Sequence, residues 1–227
     1  MANNLKVVIA AAGTGSRMGS NINKQYMLLK GKPVLYHAVS TFNQMDLVEE
    51  IIVVAHPEEV DYCQKNIIDK YNLTKVTKVI PGGSQRQESV WQGLQNLSKD
   101  THLVAVHDGA RPLIYPELIL KIYHAANKYG AAIPGVLAKD TLKTIDENGF
   151  VRETLDRSRI IAVQTPQIFN YSRLVKAYQA AYQDNFIGTD DASLYEKYID
   201  QVKFVMGDYH NLKITTPEDL VVAEQLI

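Results

Sequence analysis

The sequence predicts an α/β fold: a mostly parallel sheet with crossover helices, from which a β-arm projects. Three observations carry this expectation. Apolar, β-branched runs recur at LKVVIAAA, EEIIVVAH, KVTKVIPGG, HLVAVHD and GAAIPGV, the near-continuous style of strands covered on both faces. The segments between them place apolar residues at helical spacing, so strands and helices alternate. The rhythm breaks once, at KDTLKTIDENGFVRETLDRSR, where two polar-alternating arms flank DENG, the composition of a hairpin with a tight turn.

Each element follows from its own residues. After Pro33, the residues Leu35, Ala38, Val39 and Phe42 fall on one helical face, and after Gly83 so do Val90, Leu94 and Leu97. From Pro116, the set Leu118, Ile119, Ile122, Tyr123 and Ala126 gives a third stripe that ends near Gly130, as expected for proline at a helix start and glycine past its end. Ser84 with Gln87 resembles a capping box opening the second of these helices. The hairpin occupies about 139–159 and has surface to bury against a second subunit. Beyond it, IIAVQTPQIF resumes the buried-strand style, GTDDASLYEKY reads as a capped helix start with Thr189 as a candidate cap, and VKFVMG and NLKITTPEDL close the fold. In the last, Thr216 precedes Pro217 and an acidic first turn, Glu218 and Asp219, which suits the positive end of a helix.

At 227 residues and 46% hydrophobic content the chain can bury a large core, and one domain over 1–227 is expected. Twenty-four Lys and Arg balance 25 Asp and Glu, a formal charge of −1. Such a balance offers no broad field for nucleic acid or an anionic membrane, so any phosphate recognition must be local. Cys63 stands alone, which excludes an internal disulfide framework and fits a reducing compartment. MANNLKVVIAAAG lacks a basic leader with a sustained apolar run, and no stretch of about 18 apolar residues occurs. These features predict a cytoplasmic protein.

The first strand runs into AAAGTGSRMGSNINKQY. Gly13 and Gly15 let backbone N–H groups approach a phosphate that side chains would keep away. A Walker loop requires Gly-Lys-Ser/Thr at its end, whereas here Ser16, Arg17 and Met18 follow the glycine. A dinucleotide fingerprint requires a third glycine where Met18 stands and an acid about 20 residues on; neither is present. What remains is a loop with two cations, Arg17 and Lys24, suited to a triphosphate. A solvated surface loop is the plain alternative. His107 has no histidine cluster around it to suggest zinc.

AAAGTGSRMG, NKQY, GGSQRQESV, HDGARP, KDT, TLDRSR, TPQIF, TDDAS and NLKITTPEDL occur together and in order over about residues 6–223. In this the sequence resembles the bacterial cytidylyltransferases of the isoprenoid pathway, which join CTP to 2-C-methyl-D-erythritol 4-phosphate and release pyrophosphate. The resemblance implies a Rossmann-like nucleotidyltransferase sheet. It implies Arg17, Lys24 and Lys213 as catalytic cations, with Lys213 on a strand. It implies that Gly13 and Gly15 wrap the triphosphate, and that Ala11, Ala12, Gly82, Gly83, Ser84 and Ser89 contact the base, with Arg86 less firmly placed among them. Asp108 would meet the ribose or help hold Mg²⁺, the ion itself being carried mainly by CTP phosphates. Arg111, Thr141, Arg157, Thr165 and Thr189 would bind the polyol phosphate. Thr141 and Arg157 flank the arm, so a homodimer formed through that arm would let each active site borrow them from its neighbour.

Three positions depart from the family pattern: Ser16 stands where a basic residue is common, Asn23 where proline precedes the lysine, and Gly109 where some relatives have alanine. None removes a catalytic cation. A pentitol phosphate such as ribitol 5-phosphate is the alternative second substrate. A non-catalytic nucleotide sensor is disfavoured by the three cations together, because they matter most as charge builds during reaction. An NAD-dependent reductase fails on Met18 and the absent ribose acid.

Overall fold

The computed structural model describes residues 4–13, 23–98 and 100–227. Strand β1 (Leu5–Ala11) leads to a helical turn at Lys24–Tyr26, then a small ribbon, β2 (Leu28–Leu29) with β3 (Lys32–Pro33), and helix α1 (Val34–Asn43). Strand β4 (Val48–Ala55), helix α2 (Val60–Cys63) with its wider continuation Gln64–Asp69, β5 (Val76–Pro81), α3 (Arg86–Asn96) and β6 (Leu103–Asp108) follow. Then come α4 (Pro116–Tyr129), β7 (Ala131–Leu137), the arm strands β8 (Lys143–Ile145) and β9 (Val151–Thr154), and β10 (Ile161–Val163) with β11 (Gln167–Asn170). Helices α5 (Tyr171–Gln183) and α6 (Asp191–Tyr198), β12 (Lys203–Met206) and α7 (Pro217–Leu226) complete the chain.

The expected α/β architecture is present. Strand β1 pairs in parallel with both β4 and β6, and β5 extends the parallel half beyond β4. Alternation along β1 sorts its side chains into two cores. Leu5, Val7 and Ile9 face Leu35, Val39 and Phe42 of α1 and Leu118, Ile119 and Ile122 of α4. Val8 points the other way, into Val90 and Leu94 of α3 and Leu174 and Tyr178 of α5. The sheet is thus covered on both faces, which is why its strands read as apolar runs. Helix α4 begins at Pro116 and stops at Gly130, whose φ of 89° only glycine adopts without strain and whose N–H reaches Ala126 O at 2.7 Å.

IIAVQTPQIF does not form one buried strand. It splits into β10 and β11, both antiparallel to β7, with β11 also antiparallel to β6. Val163 lies opposite Gly135 and Ile168 opposite Ala132, so this side takes five steps against three on β7. The two extra residues fall within Gln164 to Gln167, where the Thr165–Pro166 peptide is cis, and Thr165 Oγ accepts from the Asp108 amide at the end of β6. Strand β12 lies parallel along the other edge of β7.

Within the predicted 139–159 arm, β8 and β9 pair antiparallel over 143–154. Asp146 accepts from the Asn148 and Phe150 amides at 3.0 and 2.9 Å, and Gly149 takes φ 84°, closing the turn. Ile145, Phe150 and Val151 stand 65%, 72% and 58% exposed on it, apolar surface that one chain leaves uncovered. Among the described residues no helix is long and apolar enough to cross a membrane.

Candidate active site at the carboxyl ends of the parallel strands

Strands β1, β4, β5 and β6 end together at Ala11, Ala55, Pro81 and Asp108, the edge where ligands collect in open α/β sheets. Two adjoining cavities open there. The first, about 220 Å³, is lined by Ala10 to Gly13, Lys24 and Gln25, by Gly83 to Arg86 with Ser89, and by Asp108, Ala110 and Lys213. The second, about 310 Å³, is lined by Arg86, Asp108, Arg111 and Lys213 and by the segments Val163 to Gln167 and Thr189 to Asp190. Arg86, Asp108 and Lys213 belong to both.

The first cavity is built chiefly of backbone. Gly82 donates to Ala55 O at 2.8 Å, which fixes the turn after β5 against β4. A Cβ on Gly82 would meet Ala12 Cβ and lie 2.7 Å from Ser89 Oγ, so glycine is required for this close approach. Ser89 Oγ accepts from Gly83 N at 3.1 Å and donates to Gln85 O at 3.0 Å, shaping the same turn. Helix α3 is not opened by the expected Ser84–Gln87 box. Gln85 is its cap residue, and Ser84 is held by Glu88 Oε2, which accepts from its amide and hydroxyl, each at 2.8 Å. Gln87 instead reaches Phe186 O at 3.1 Å and accepts from Gly188 N at 2.9 Å, because its side chain points across to the segment before α6. On the opposite wall the buried Gln25 amide donates to Ala11 O at 2.7 Å and Gly13 O at 3.1 Å, fixing the path of the chain as it leaves β1.

Asp108 is the electrostatic centre. Its Oδ1 accepts from Arg86 Nε at 3.2 Å, its Oδ2 from Lys213 Nζ at 2.7 Å, and Arg111 Nε stands 4.0 Å away. Burial alone would raise its pKa, but Arg86, Lys213 and Arg111 outweigh that and hold the carboxyl well below the usual range. Lys213 is mounted on an extended segment rather than the strand expected for it. Ile214 N donates to Ala110 O at 2.8 Å, and this bond, with Ile214 buried beside Val34 and Leu29, fixes the lysine without a ladder.

The second cavity holds Arg111 by a ring of hydrogen bonds. Its guanidinium donates to Asn211 O at 2.7 Å, Asn211 Nδ2 donates to Thr165 O at 2.9 Å, and Thr165 Oγ meets His107 Nδ1 at 3.1 Å. His107 Nε2 faces Arg111 O at 3.1 Å, so that nitrogen carries the hydrogen. Burial lowers the His107 pKa to about 4; the ring is neutral near pH 7 and Nδ1 accepts. Thr165 therefore spends its hydroxyl hydrogen on His107 while accepting from the Asp108 amide at 3.0 Å. Its side chain keeps accepting capacity alone, which suits a polyol hydroxyl and not a phosphate oxygen. Arg111 Nε is buried with no hydrogen-bond partner, its charge facing Asp108 Oδ2 at 4.0 Å. His107 has a structural part, bonded on both ring nitrogens.

The structure thus brings Ala11, Ala12, Gly13, Lys24, Gly83, Ser84, Ser89, Asp108 and Lys213 to the first cavity, with Gly82 against its wall, and Arg111, Thr165 and Thr189 to the second. Asp190, not Thr189, caps α6, its Oδ1 accepting from Ser193 N at 2.9 Å, which leaves the Thr189 side chain to the cavity. Thr141 and Arg157 line neither cavity; Arg157 Nη1 donates to Lys139 O at 2.6 Å at the base of the arm. Arg17, Gly15 and Ser16 lie outside the described residues. At Gly109, where some relatives have alanine, a Cβ would stand 2.9 Å from Leu35 Cδ1 and 3.1 Å from Ala11 Cβ. Among the described residues no group of three or more His, Cys, Asp or Glu converges as a metal site.

A glycine-rich cavity with cations at its walls, joined through shared charged residues to an arginine-lined one at the strand ends, is the arrangement of a nucleotidyltransferase. The IspD family model, described as 2-C-methyl-D-erythritol 4-phosphate cytidylyltransferase, matches residues 5–227. A relative so named from Caldanaerobacter subterraneus subsp. tengcongensis is 48% identical over 221 residues, covering 97% of each chain. Another from Alkaliphilus metalliredigens is 45% identical over all 227 residues and 94% of its own length. The crystal structure of 4-diphosphocytidyl-2C-methyl-D-erythritol synthase from Anaerococcus prevotii superposes with a TM-score of 0.88 at 33% identity, covering 99% of this chain and 96% of that one. The 2-C-methyl-D-erythritol 4-phosphate cytidylyltransferase from Francisella tularensis gives 0.84 at 32% identity, covering 99% and 100%. The chain belongs to the 2-C-methyl-D-erythritol 4-phosphate cytidylyltransferase family.

Proposed function

We propose that the chain joins CTP and 2-C-methyl-D-erythritol 4-phosphate to give 4-diphosphocytidyl-2-C-methyl-D-erythritol and pyrophosphate, in the non-mevalonate isoprenoid pathway. The observation that carries this reading is the wall shared by the two cavities, Arg86, Asp108 and Lys213. With CTP in the first and the polyol phosphate in the second, the α-phosphorus and the attacking phosphate meet at that wall. A phosphate oxygen forms the new bond to the α-phosphorus, and the bond to the β-phosphate bridging oxygen breaks, releasing pyrophosphate.

The attacking phosphate is already ionised near neutral pH, so no protein base is needed; alignment and charge neutralisation are. Lys24 and Lys213 supply mobile positive charge from two sides of the first cavity, and Arg17 is assigned to the same task. Arg111, which lines the second cavity, takes the incoming phosphate through its guanidinium. Thr165 and Thr189 face the polyol. Among the described residues the single carboxylate lining the first cavity is Asp108, which fits a Mg²⁺ carried mainly by the triphosphate and not a full protein cage. When bound, that ion would neutralise phosphate charge, with Asp108 as the protein's contribution.

The exposed apolar tip of the arm, Ile145, Phe150 and Val151, supports a homodimer in which Thr141 and Arg157 serve the partner's second cavity. A cytoplasmic setting accords with Cys63, a buried free thiol that burial pushes up to about 12. The test is a substrate panel: purified protein releases pyrophosphate from CTP when methylerythritol phosphate is added. Preference for ribitol 5-phosphate would overturn the substrate assignment.

A further inference from the structure

Arg86 occupies an unusual place. Its guanidinium lines both cavities, yet it is not held by the site alone. Nε donates to Asp108 at 3.2 Å and Nη2 to Asp191 Oδ2 at 2.9 Å. Asp191 is fully buried, and its other oxygen accepts from the buried Tyr178 hydroxyl at 2.6 Å. Tyr178 is stacked on Trp91 of α3, ring centroids 5.6 Å apart at an interplanar angle of 11°. A carboxylate with no solvent exposure is costly unless paired, and packing around Tyr178 alone does not account for one. Its charge is aimed through Arg86 at the junction of the two cavities.

An arginine carries five N–H donors in a planar fork. Two are spent on Asp108 and Asp191, leaving three for phosphate oxygens. Two-point mooring fixes the plane of the fork. Held by Asp108 alone, it would pivot about that single bond, and a group so loosened loses the orientation that charge stabilisation in the transition state requires.

We propose that Asp191 is a positioning residue for nucleotidyl transfer: anchored by Tyr178, it holds the Arg86 guanidinium across the wall between the cavities so that its free donors engage the phosphates of both substrates as they react. This rests on the reading of the two cavities given above. The sequence carries the motif as the second acid of TDDAS, whose first acid has a separate task as the α6 cap.

The experiment is a double-mutant cycle in the full-length protein, with Asp191→Asn, Arg86→Gln and the pair, reading kcat, KM for each substrate and melting temperature. Asn keeps the shape and a hydrogen-bonding oxygen while removing the charge. The expected result is a fall in kcat of about tenfold for D191N and about a hundredfold for R86Q, with the pair no worse than R86Q alone. Effects of D191N and R86Q that multiply in the double mutant, or a D191N enzyme with unchanged kcat and a lowered melting temperature, would overturn the proposal and leave Asp191 a structural residue. Should D191N fail to fold, Tyr178→Phe loosens Asp191 from the other side. It is expected to lower kcat two- to fivefold in the wild-type background and not at all with R86Q; equal effects in both would refute the relay. The wild-type enzyme, assayed in parallel on methylerythritol and ribitol phosphates, reports separately on the substrate reading.

Discussion

Lys213 Nζ and Asp108 Oδ2 meet at 2.7 Å although 105 residues separate them in the chain. The pair closes the wall between the cavities, and Asp108 also balances Arg86 and Arg111. Replacing it by Asn leaves three cations facing one another across a small volume. We expect Asp108→Asn to lower kcat/KM by at least tenfold and to cost about 1–3 kcal/mol of stability, a modest figure because Lys213 and Arg86 retain solvent access. Urea denaturation with steady-state kinetics checks both; full activity would remove Asp108 from the site.

Lys24 sits at the mouth of the first cavity, placed by the helical turn that also carries Gln25. If its charge acts mainly on the reacting phosphorus, Lys24→Ala lowers kcat by about a hundredfold while CTP affinity changes only a few-fold. Calorimetric titration of CTP beside pyrophosphate-release kinetics separates the two, and equal losses would assign Lys24 to ground-state binding.

His107 gives a pH signature in stability. Its folded pKa is lowered to about 4 by burial, whereas the unfolded ring titrates near 6.5. Between those values the unfolded chain takes up a proton that the folded chain refuses, so stability falls as pH drops from about 6.5 to 4. At about 1.4 kcal/mol per unit the loss from this group is about 3 kcal/mol. His107→Gln is expected to flatten that limb. Asp108, with its pKa depressed, contributes stability that is present above about pH 4 and lost only below it, so the two groups act in separate windows. Denaturation midpoints measured from pH 4 to 7 in both proteins decide the matter.

The arm makes a prediction about assembly. Phe150→Ser removes the most exposed apolar side chain of the arm tip and is expected to weaken the dimer and raise KM for the polyol phosphate, leaving CTP affinity unchanged. Sedimentation and kinetics at matched concentrations test this. An active monomer at working concentration would end the shared-site proposal.

The apolar strands and the three helical stripes were legible because burial on both faces writes itself into residue type, and Pro116 and Gly130 mark α4 to the residue. The site was legible where chemistry demands a particular group: Lys24, Lys213, Asp108 and Arg111 all reach the cavities. What escaped the sequence were directions. IIAVQTPQIF reads as one strand because antiparallel pairing and a two-residue bulge leave no mark on apolar content. Gln87 and Glu88 are adjacent, and only the turn of α3 decides that Glu88, not Gln87, holds Ser84. Gln25, Asn211 and Asp191 act through partners distant in the chain, and an ordinary glutamine or a second aspartate carries no signal of that. For Arg86 the charged side chain was visible, while its place between the cavities depended on Asp191.

The two cavities adjoin at three charged residues that line both, Arg86, Asp108 and Lys213. A single synthetic molecule bearing a cytidine end and a polyol end, bridged by a non-hydrolysable anionic linker, would run along those charged groups from one cavity into the other. Its two halves would bind as one event, so its affinity should exceed what either fragment achieves alone by the effective concentration that the tether imposes. The residues that divide the cavities also join them, and a long anionic inhibitor is the kind of ligand that exploits both.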